Sequence, residues 1–429
     1  MRTILPTAPP GGAPPRPPAP PRVPASALAS TFQAMRHRNF RLWFFGQLTS
    51  LVGTWMQTIA QNWLVYQLTG SARDLGLVNF VGAIPLVPLT LYAGAIADRF
   101  SKRKIIFAMQ AAMMVQAFLL FALCWTGVVQ VWHVMALAFL LGAAQALDTP
   151  ARQAFVVELV GKEDLSNAIA LNSGIFHGAR VIGPAAAGVL VATVGVSGAF
   201  FLNGASFLAV LGGLFLMDAS LIRRARADGK VGDDLLGGVR YIRDYRAPKA
   251  IVLLIALSAL LAMPYYVLIP IFAKELLGGG AGTYGILMSA AGVGAVLGSL
   301  FSASGWAVRR KGMALTAGSL SFPLFLFAFA FSRDYALSVG LLAAIGFAFV
   351  LQNAPANSLL QTIVPDHLRG RVMAIYVSLF LGLMRMGGLL LGLLATATSV
   401  TAALAAAAVA SLAGGAAICV KFPELRRMD

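Results

Sequence analysis

Charge is what this chain has least of. Asp, Glu, Lys and Arg make up 11% of its 429 residues, against about a quarter in soluble domains, while 59% of residues are apolar. That balance excludes a water-soluble fold and points to a chain that lives in a bilayer. Acids are scarcer than bases, 16 against 33, and there are four His and two Cys. No Walker A sequence, HExxH or nucleophile elbow is present, so nothing supports an enzyme, and the chain holds no means of using ATP itself. Gly280, Gly282 and Gly285 do spell GxGxxG, but they stand between two membrane segments with no strand before them. No catalytic group, cofactor or metal site is expected. Cys124 and Cys419 fall near opposite membrane faces, which rules out a bridge.

What is abundant is long uncharged sequence. Stretches free of charged residues run over 42–72, 75–97, 105–147, 181–217, 250–273, 276–308, 312–332, 335–365 and 386–420, with two shorter ones ending at Arg180 and Arg385. A spanning helix needs about 20 such residues. The stretches 105–147, 181–217 and 386–420 therefore hold two helices each, turning near Thr126-Gly127, Val194-Gly195 and Ser399. Twelve spanning helices are expected in an all-α membrane protein.

Loop cations set the orientation. Arg73, Lys274 and Arg333 fall on one side, Arg180 and Arg385 lie within spans, and every other Lys or Arg of the 33 falls on the opposite side. That bias puts the cation-rich side and both termini in the cytoplasm of a multi-pass protein of the cell inner (plasma) membrane. Because these cations are scattered over many loops, the net charge of +17 reads as a topology signal and a contact for anionic lipid at the cytoplasmic face, not as a nucleic-acid surface. Nearly half of the 21 prolines fall in residues 1–30, so residues 1–38 read as a disordered Pro-rich cytoplasmic tail.

The sequence repeats itself weakly. Displaced by 205 residues, Asp148-Thr149-Pro150-Ala151 falls on Asn353-Ala354-Pro355-Ala356, Ser173 on Ser378, Arg180 on Arg385 and Gly183 on Gly388; a displacement near 209 aligns Leu68, Gly70 and Gly76 with Leu277, Gly279 and Gly285. Element order is preserved, so two parallel halves follow. The expected organisation is an N-terminal six-helix bundle over 39–217, a cytoplasmic linker over 218–248, a C-terminal six-helix bundle over 249–420 and a short tail over 421–429. Repeats of this kind place a substrate site at their interface near mid-membrane.

Residues 94–104, GAIADRFSKRK, carry a resemblance. The stretch resembles the loop between the second and third helices of the major facilitator superfamily: Gly, two apolar residues, a small residue, Asp, Arg, any residue, Gly, Arg, and Lys or Arg. Gly94, Asp98, Arg99, Lys102 and Arg103 match, with Ser101 in place of the usual glycine. RNFRLWFFGQLTSLVGTWMQ, NWLVYQLTGSA, ALDTPARQAF, ARVIGPAAAG and LRGRVMAIY are similar to its twelve-helix exporter branch, which includes enterobactin exporter-like permeases and drug:proton antiporters. The resemblance covers residues 39–420. It implies a major facilitator-type fold with two pseudo-symmetric six-helix bundles, alternating access, and a conformational gate in which Asp98 braces against the start of the eleventh helix near Gly370-Arg371. The second-half counterpart, GWAVRRKG, keeps Arg309, Arg310 and Lys311 but has no acid, so such a latch is one-sided.

Candidate site residues follow from polarity where none is tolerated. Gln47, Ser50, Thr54, Gln57 and Gln61 recur at helical spacing on one face of the first span, with Trp55, Asn62 and Trp63 interleaved. Lipid offers such groups no partner, so the stripe faces a cavity or another helix. Arg180 and Arg385 each lie about four turns into a span, where an uncompensated arginine costs at least about 2.5 kcal/mol. No acid is available at that depth. Either carbonyls, amides and water satisfy them, or they attract anionic groups of a cargo. His177, one turn before Arg180, and Asp148 are candidates for carrying a coupling proton. Pro184 removes the hydrogen bond to the Arg180 carbonyl and is expected to kink the fifth helix. Tyr265, Tyr266 and Asn353 are candidates for the opposite cavity wall, with packing the competing reading for each.

The expected function is secondary active transport: export of small amphipathic, siderophore- or drug-like molecules by alternating access with proton antiport, by a chain that is monomeric. An importer or uniporter of a small anionic metabolite is the alternative on the same fold. A channel or membrane scaffold is the alternative of another class.

Overall fold

The structure is a computed structural model that describes residues 32–86, 88–89, 100–161, 163–222, 235–304, 307 and 309–428. The expected gate residues Gly94, Asp98 and Arg99 lie outside the described residues. The helices are α1 Arg38–Thr69, α2 Ala72–Ala83, α3 Lys102–Trp125, α4 Val131–Val160, α5 Leu165–Thr193 and α6 Val196–Leu216, then α7 Leu235–Asp244 in the linker. The second half holds α8 Arg246–Leu276, α9 Ala281–Ser302, α10 Lys311–Phe331, α11 Tyr335–Ile363, α12 Asp366–Ala397 and α13 Val400–Lys421. No strand occurs among the described residues.

Ten of these helices are long and apolar enough to cross a membrane; α1 and α2 complete the alternating series. Helix α1, at 32 residues, has the length but not the hydropathy, because Gln47, Ser50, Gln57 and Asn62 are all buried on its inner face. The described part of α2 is 12 residues, beginning at a Ser71 cap that accepts from the Asp74 amide. The turns stand where uncharged sequence was too long for one helix: Thr126 ends α3, Val194 ends α5 and Ser399 caps α13. Gly195 takes φ 87, a left-handed conformation that lets the chain reverse between α5 and α6 without a Cβ clash.

Among the described helices, α8 departs from the simple pattern. Helix α5 passes through Pro184 without interruption. Helix α8 is broken instead: a 3-10 turn over Met263–Val267 holds Pro264 near its start, Pro270 follows it, and a π turn runs over Phe272–Leu276. Irregular backbone at this depth is tolerated because it is buried in protein, and Met263, Tyr265 and Phe272 are indeed buried.

The ends of the bundle differ in charge. At one end the described helix ends and turns hold Arg73 and Asp74, Lys274 and Glu275, and Arg333 and Asp334, each cation followed by an acid; this is the charge-poor end. The uncharged turns near Thr126-Gly127, Val194-Gly195 and Ser399 share that end, and the remaining described loops face the charge-rich end. The cores differ in the same sense. One apolar core runs through both halves toward the charge-poor end, with Met56, Trp63 and Leu75 packed with Tyr265, Phe272, Leu287 and Leu391. Toward the charge-rich end the core divides. Phe40, Trp43, Phe155 and Leu214 belong to the first half alone, whereas Ile251, Leu315, Leu359 and Val372 belong to the second. Helix α7 travels with the second half: Gly238 lies against Arg371 and Ile375 of α12, and the Tyr241 hydroxyl donates to the Ile363 carbonyl at 3.1 Å.

Candidate functional site

Among the described residues two seams join the halves, and both depend on missing side chains. In the first, α5 packs on α9: a Cβ on Gly285 would meet the Pro184 carbonyl oxygen at 2.5 Å, and one on Gly292 would meet the Arg180 carbonyl oxygen at 2.9 Å. Ser289 donates its hydroxyl to the Val181 carbonyl at 2.9 Å, beside the carbonyl that Pro184 leaves free. In the second, α2 packs on α12, where a Cβ on Gly76 would meet the Gly388 carbonyl oxygen at 2.6 Å and one on Gly392 would meet that of Ala72 at 2.4 Å. Small residues let backbones approach this closely in a membrane.

The first seam parts below Arg180. Gly174 and Gly178 continue the face of α5 that carries Val181 and Gly188, yet neither has a neighbour within 4 Å. Gly370, at the charge-rich start of α12, is equally open. The halves therefore enclose a space that widens toward the charge-rich end.

Arg180 stands at the apex of that space. Its Cζ lies 5.8 Å from the Trp55 ring centroid and 5.4 Å from that of Phe349, so one ring from each half flanks the cation. Gly183 makes room for this, because a Cβ there would meet Cβ of Trp55 at 2.5 Å. No hydrogen bond or ion pair to a described residue engages the guanidinium. Aromatic faces attract a desolvated cation by up to about 2 kcal/mol each, less than a paired carboxylate supplies, and they leave its N–H donors free. Tyr265 is within electrostatic range of Arg180 and stands edge-on to Phe322. His177 is half-buried one turn away, and its Nδ1 has no partner.

Arg385 has different company. It donates from one terminal nitrogen to Asn79 Oδ1 at 3.2 Å, and its buried Nε has no partner. Asn79 donates to Asn62 Oδ1 at 3.0 Å and to the Leu75 carbonyl at 2.9 Å, and Asn62 donates to the Tyr284 hydroxyl at 3.4 Å. Trp63 stacks on Tyr284 with centroids 6.1 Å apart. Nearer the charge-poor end, the Tyr66 hydroxyl donates to Glu275 at 3.2 Å, and a polar cleft of about 670 Å³ lined by Thr69, Ser71, Glu275, Arg333 and Thr396 overlies the seam.

The other expected residues fall into separate places. Gln57 is buried within the first half, donating to Gln116 at 2.9 Å and accepting from Asn203 at 2.5 Å. Gln47 accepts from Arg152 at 2.9 Å, and Arg152 pairs with Asp148 at 2.7 Å, to which Gln110 donates at 3.2 Å. Thr54 turns its hydroxyl back to the Ser50 carbonyl, and Gln61 is half-buried. Tyr266 has a buried hydroxyl without a partner, and Asn353 donates to the Phe349 carbonyl at 2.9 Å, one turn from the ring that faces Arg180. Of the expected gate residues, Lys102 pairs with Glu158 at 2.8 Å and Arg103 reaches the Phe215 carbonyl at 3.3 Å, both within the first half. Asn79, Tyr284 and Phe349 escaped the sequence reading. Asn79 carried a signal, as an amide in the uncharged run 75–97; Tyr284 and Phe349 carried none apart from their neighbours in space.

Residues 29–429 match the family model described as transmembrane secretion effector. Among curated proteins, the multidrug efflux pump Tap of Mycolicibacterium fortuitum is 29% identical over 405 residues, covering 90% of this chain and 96% of its own. The staphyloferrin A transporter of Staphylococcus aureus is 26% identical over 262 residues, 61% of this chain and 66% of its own. Among solved structures, a POT family transporter in complex with a thioalcohol-conjugated peptide superposes with a TM-score of 0.73 at 12% identity, over 92% of this chain and 99% of that one. The nucleoside transporter NupG does so with a TM-score of 0.69 at 14% identity, over 90% of this chain and 98% of that one.

Proposed function

This chain belongs to the transmembrane secretion effector family, in the exporter branch of the major facilitator superfamily, and we propose that it exports small amphipathic molecules from the cytoplasm by alternating access. The observation that carries the proposal is the apolar core shared at the charge-poor end and divided at the charge-rich end, with an unneutralised Arg180 where the division begins. The positive-inside bias makes the charge-rich end cytoplasmic, which places both termini there and makes this the inward-open state, ready to load. The cation-rich loops then face anionic lipid. Export as the direction, and drug- or siderophore-like cargo as the class, are supported by the relatives named for multidrug efflux and for staphyloferrin A.

The cargo site comprises Arg180 with Trp55, Phe349, Tyr265 and Asn353, and Arg385 across the apex. Rings and aliphatic surface take the apolar body of the cargo, and the guanidinium takes an anionic substituent. Electrostatic sign separates the two proton candidates. An anion beside Arg180 favours a protonated His177, so that cargo and proton load together; antiport requires them to exclude each other. For proton antiport we therefore assign the proton to Asp148, whose Arg152 and Gln110 partners tie α3 and α4 to Gln47 of α1. A second reading rests on His177 itself: its position beside Arg180 favours proton-coupled uptake of a small anionic metabolite.

Purified protein in liposomes tests both readings. Antiport export predicts cargo accumulation in the lumen when the lumen is acidic, abolished by a protonophore and by Asp148→Asn. Proton-coupled uptake predicts accumulation only with an acidic exterior, abolished by His177→Gln. Flux that ignores the pH gradient overturns proton coupling in either direction.

A further inference from the structure

Among the described residues of the second seam, Arg385 is the charged side chain that bonds the buried amide relay, and it also belongs to the proposed cargo site. Arg385 spends one nitrogen on Asn79 Oδ1, leaves Nε unpartnered and remains only half-buried. Asn79 is the centre of the seam's polar relay, bonded onward to Asn62 and through it to Tyr284 of the opposite half. Asn79 is buried, and Arg385 is the only described donor to its Oδ1. Withdrawing that donor leaves a buried acceptor without a partner and removes a charge-assisted bond across the halves. The first seam has no equivalent: displaced by 209 residues, Asn79 falls on Met288.

Building on the transport reading above, we propose that Arg385 is the residue through which cargo charge unfastens the charge-poor end. An anionic substituent, a carboxylate or a group of like charge, draws the guanidinium from Asn79 into the site, and the relay between α12, α2, α1 and α9 loses its anchor. A neutral molecule of the same shape fills the site without breaking the bond. Cargo charge thus decides how readily the exit opens, separately from how tightly cargo binds. The relay discriminates at the opening step, while Arg180 discriminates at loading.

The test reads the separation of the charge-poor ends. Spin labels at Val194→Cys and Leu337→Cys, on opposite halves, are placed in full-length protein carrying Cys124→Ser and Cys419→Ala and reconstituted in nanodiscs. The probes are naphthalene-2-carboxylate and its neutral carboxamide. The carboxylate is expected to raise the long-distance population about tenfold, the weight of one charge-assisted bond, and the carboxamide to leave it unchanged. Asn79→Ala is expected to open the ends without any probe. Asn79→Asp, which gives Arg385 an opposite charge to hold, is expected to keep them shut even with carboxylate present. Equal shifts by both probes, no shift by either, or Asn79→Ala and Asn79→Asp moving in the same direction overturns the proposal. Gradient-driven flux in liposomes is scored alongside: flux that persists while these distances fail to respond defeats the relay and leaves the transport reading standing, whereas absence of flux in every variant including the parent defeats the transport reading.

Discussion

Arg180 and Arg385 hold equivalent places in the two halves and have unlike surroundings. Both lie at the depth where their seams cease to be pure glycine contact, and both occur on the helix that faces the opposite half. Among the described residues Arg180 meets two aromatic rings and no acceptor, while Arg385 meets an amide chain that crosses between halves. The difference arises on the partner helices. Where α2 offers Asn79, the corresponding position of α9 is Met288. On the proposed reading, equivalent positions thus serve as a receptor on one seam and a fastening on the other, and the repeat survives in the backbone more than in the chemistry.

The seams themselves provide the largest contrast. Gly285→Val pushes a side chain into the Pro184 carbonyl and the Gly188 backbone, so the charge-poor end cannot close and net flux is expected to vanish. Gly174→Val, on the open stretch of the same face, is expected to leave the separation of the charge-poor ends unchanged, as label-to-label distances will read. Next comes the receptor: Arg180→Gln is expected to weaken binding of an anionic probe about 10- to 100-fold and a neutral analogue hardly at all, in a titration of binding affinity. Equal losses for both would mean that Arg180 only supports packing. Removing one ring beside it, by Trp55→Leu or Phe349→Leu, is expected to cost about 3- to 30-fold in the same titration, the range of a desolvated cation–ring contact. The smallest transport effect belongs to Gln57→Leu, which breaks bonds to Gln116 and Asn203 inside one half. It is expected to lower the melting temperature through a loss of about 1–3 kcal/mol while leaving the ratio of anionic to neutral transport intact.

The fold was legible because membrane insertion is written in single-residue statistics. Uncharged runs gave the helices, and the pairing of Arg180 with Arg385 at a fixed displacement gave the two halves. The polar stripe of α1 was legible as inward-facing, as burial of Gln47, Ser50 and Gln57 bears out. What the stripe touches was not. Periodicity says which residues share a face, but Gln57 is engaged by Gln116 and Asn203 from α3 and α6, and only tertiary packing brings these together. Tyr284 was hidden for the same reason. The break in α8 had a local sign in Pro264 and Pro270, yet prolines also occur within α4, α5, α10 and α11, which run on past them. Proline announces a missing hydrogen bond; the neighbouring helices decide whether the chain bends.

The chamber between the halves is tested most directly by the reactivity of Gly178→Cys, a position with open space around it, in protein carrying Cys124→Ser and Cys419→Ala. Its rate of modification by a membrane-impermeant maleimide is measured from each side of the membrane. Rapid labelling in inside-out vesicles, slowed by an anionic amphiphile, with no labelling in intact cells, is the result predicted for a chamber open to the cytoplasm and sealed outside. Labelling from the external face alone, or a thiol inert from both sides, would contradict it.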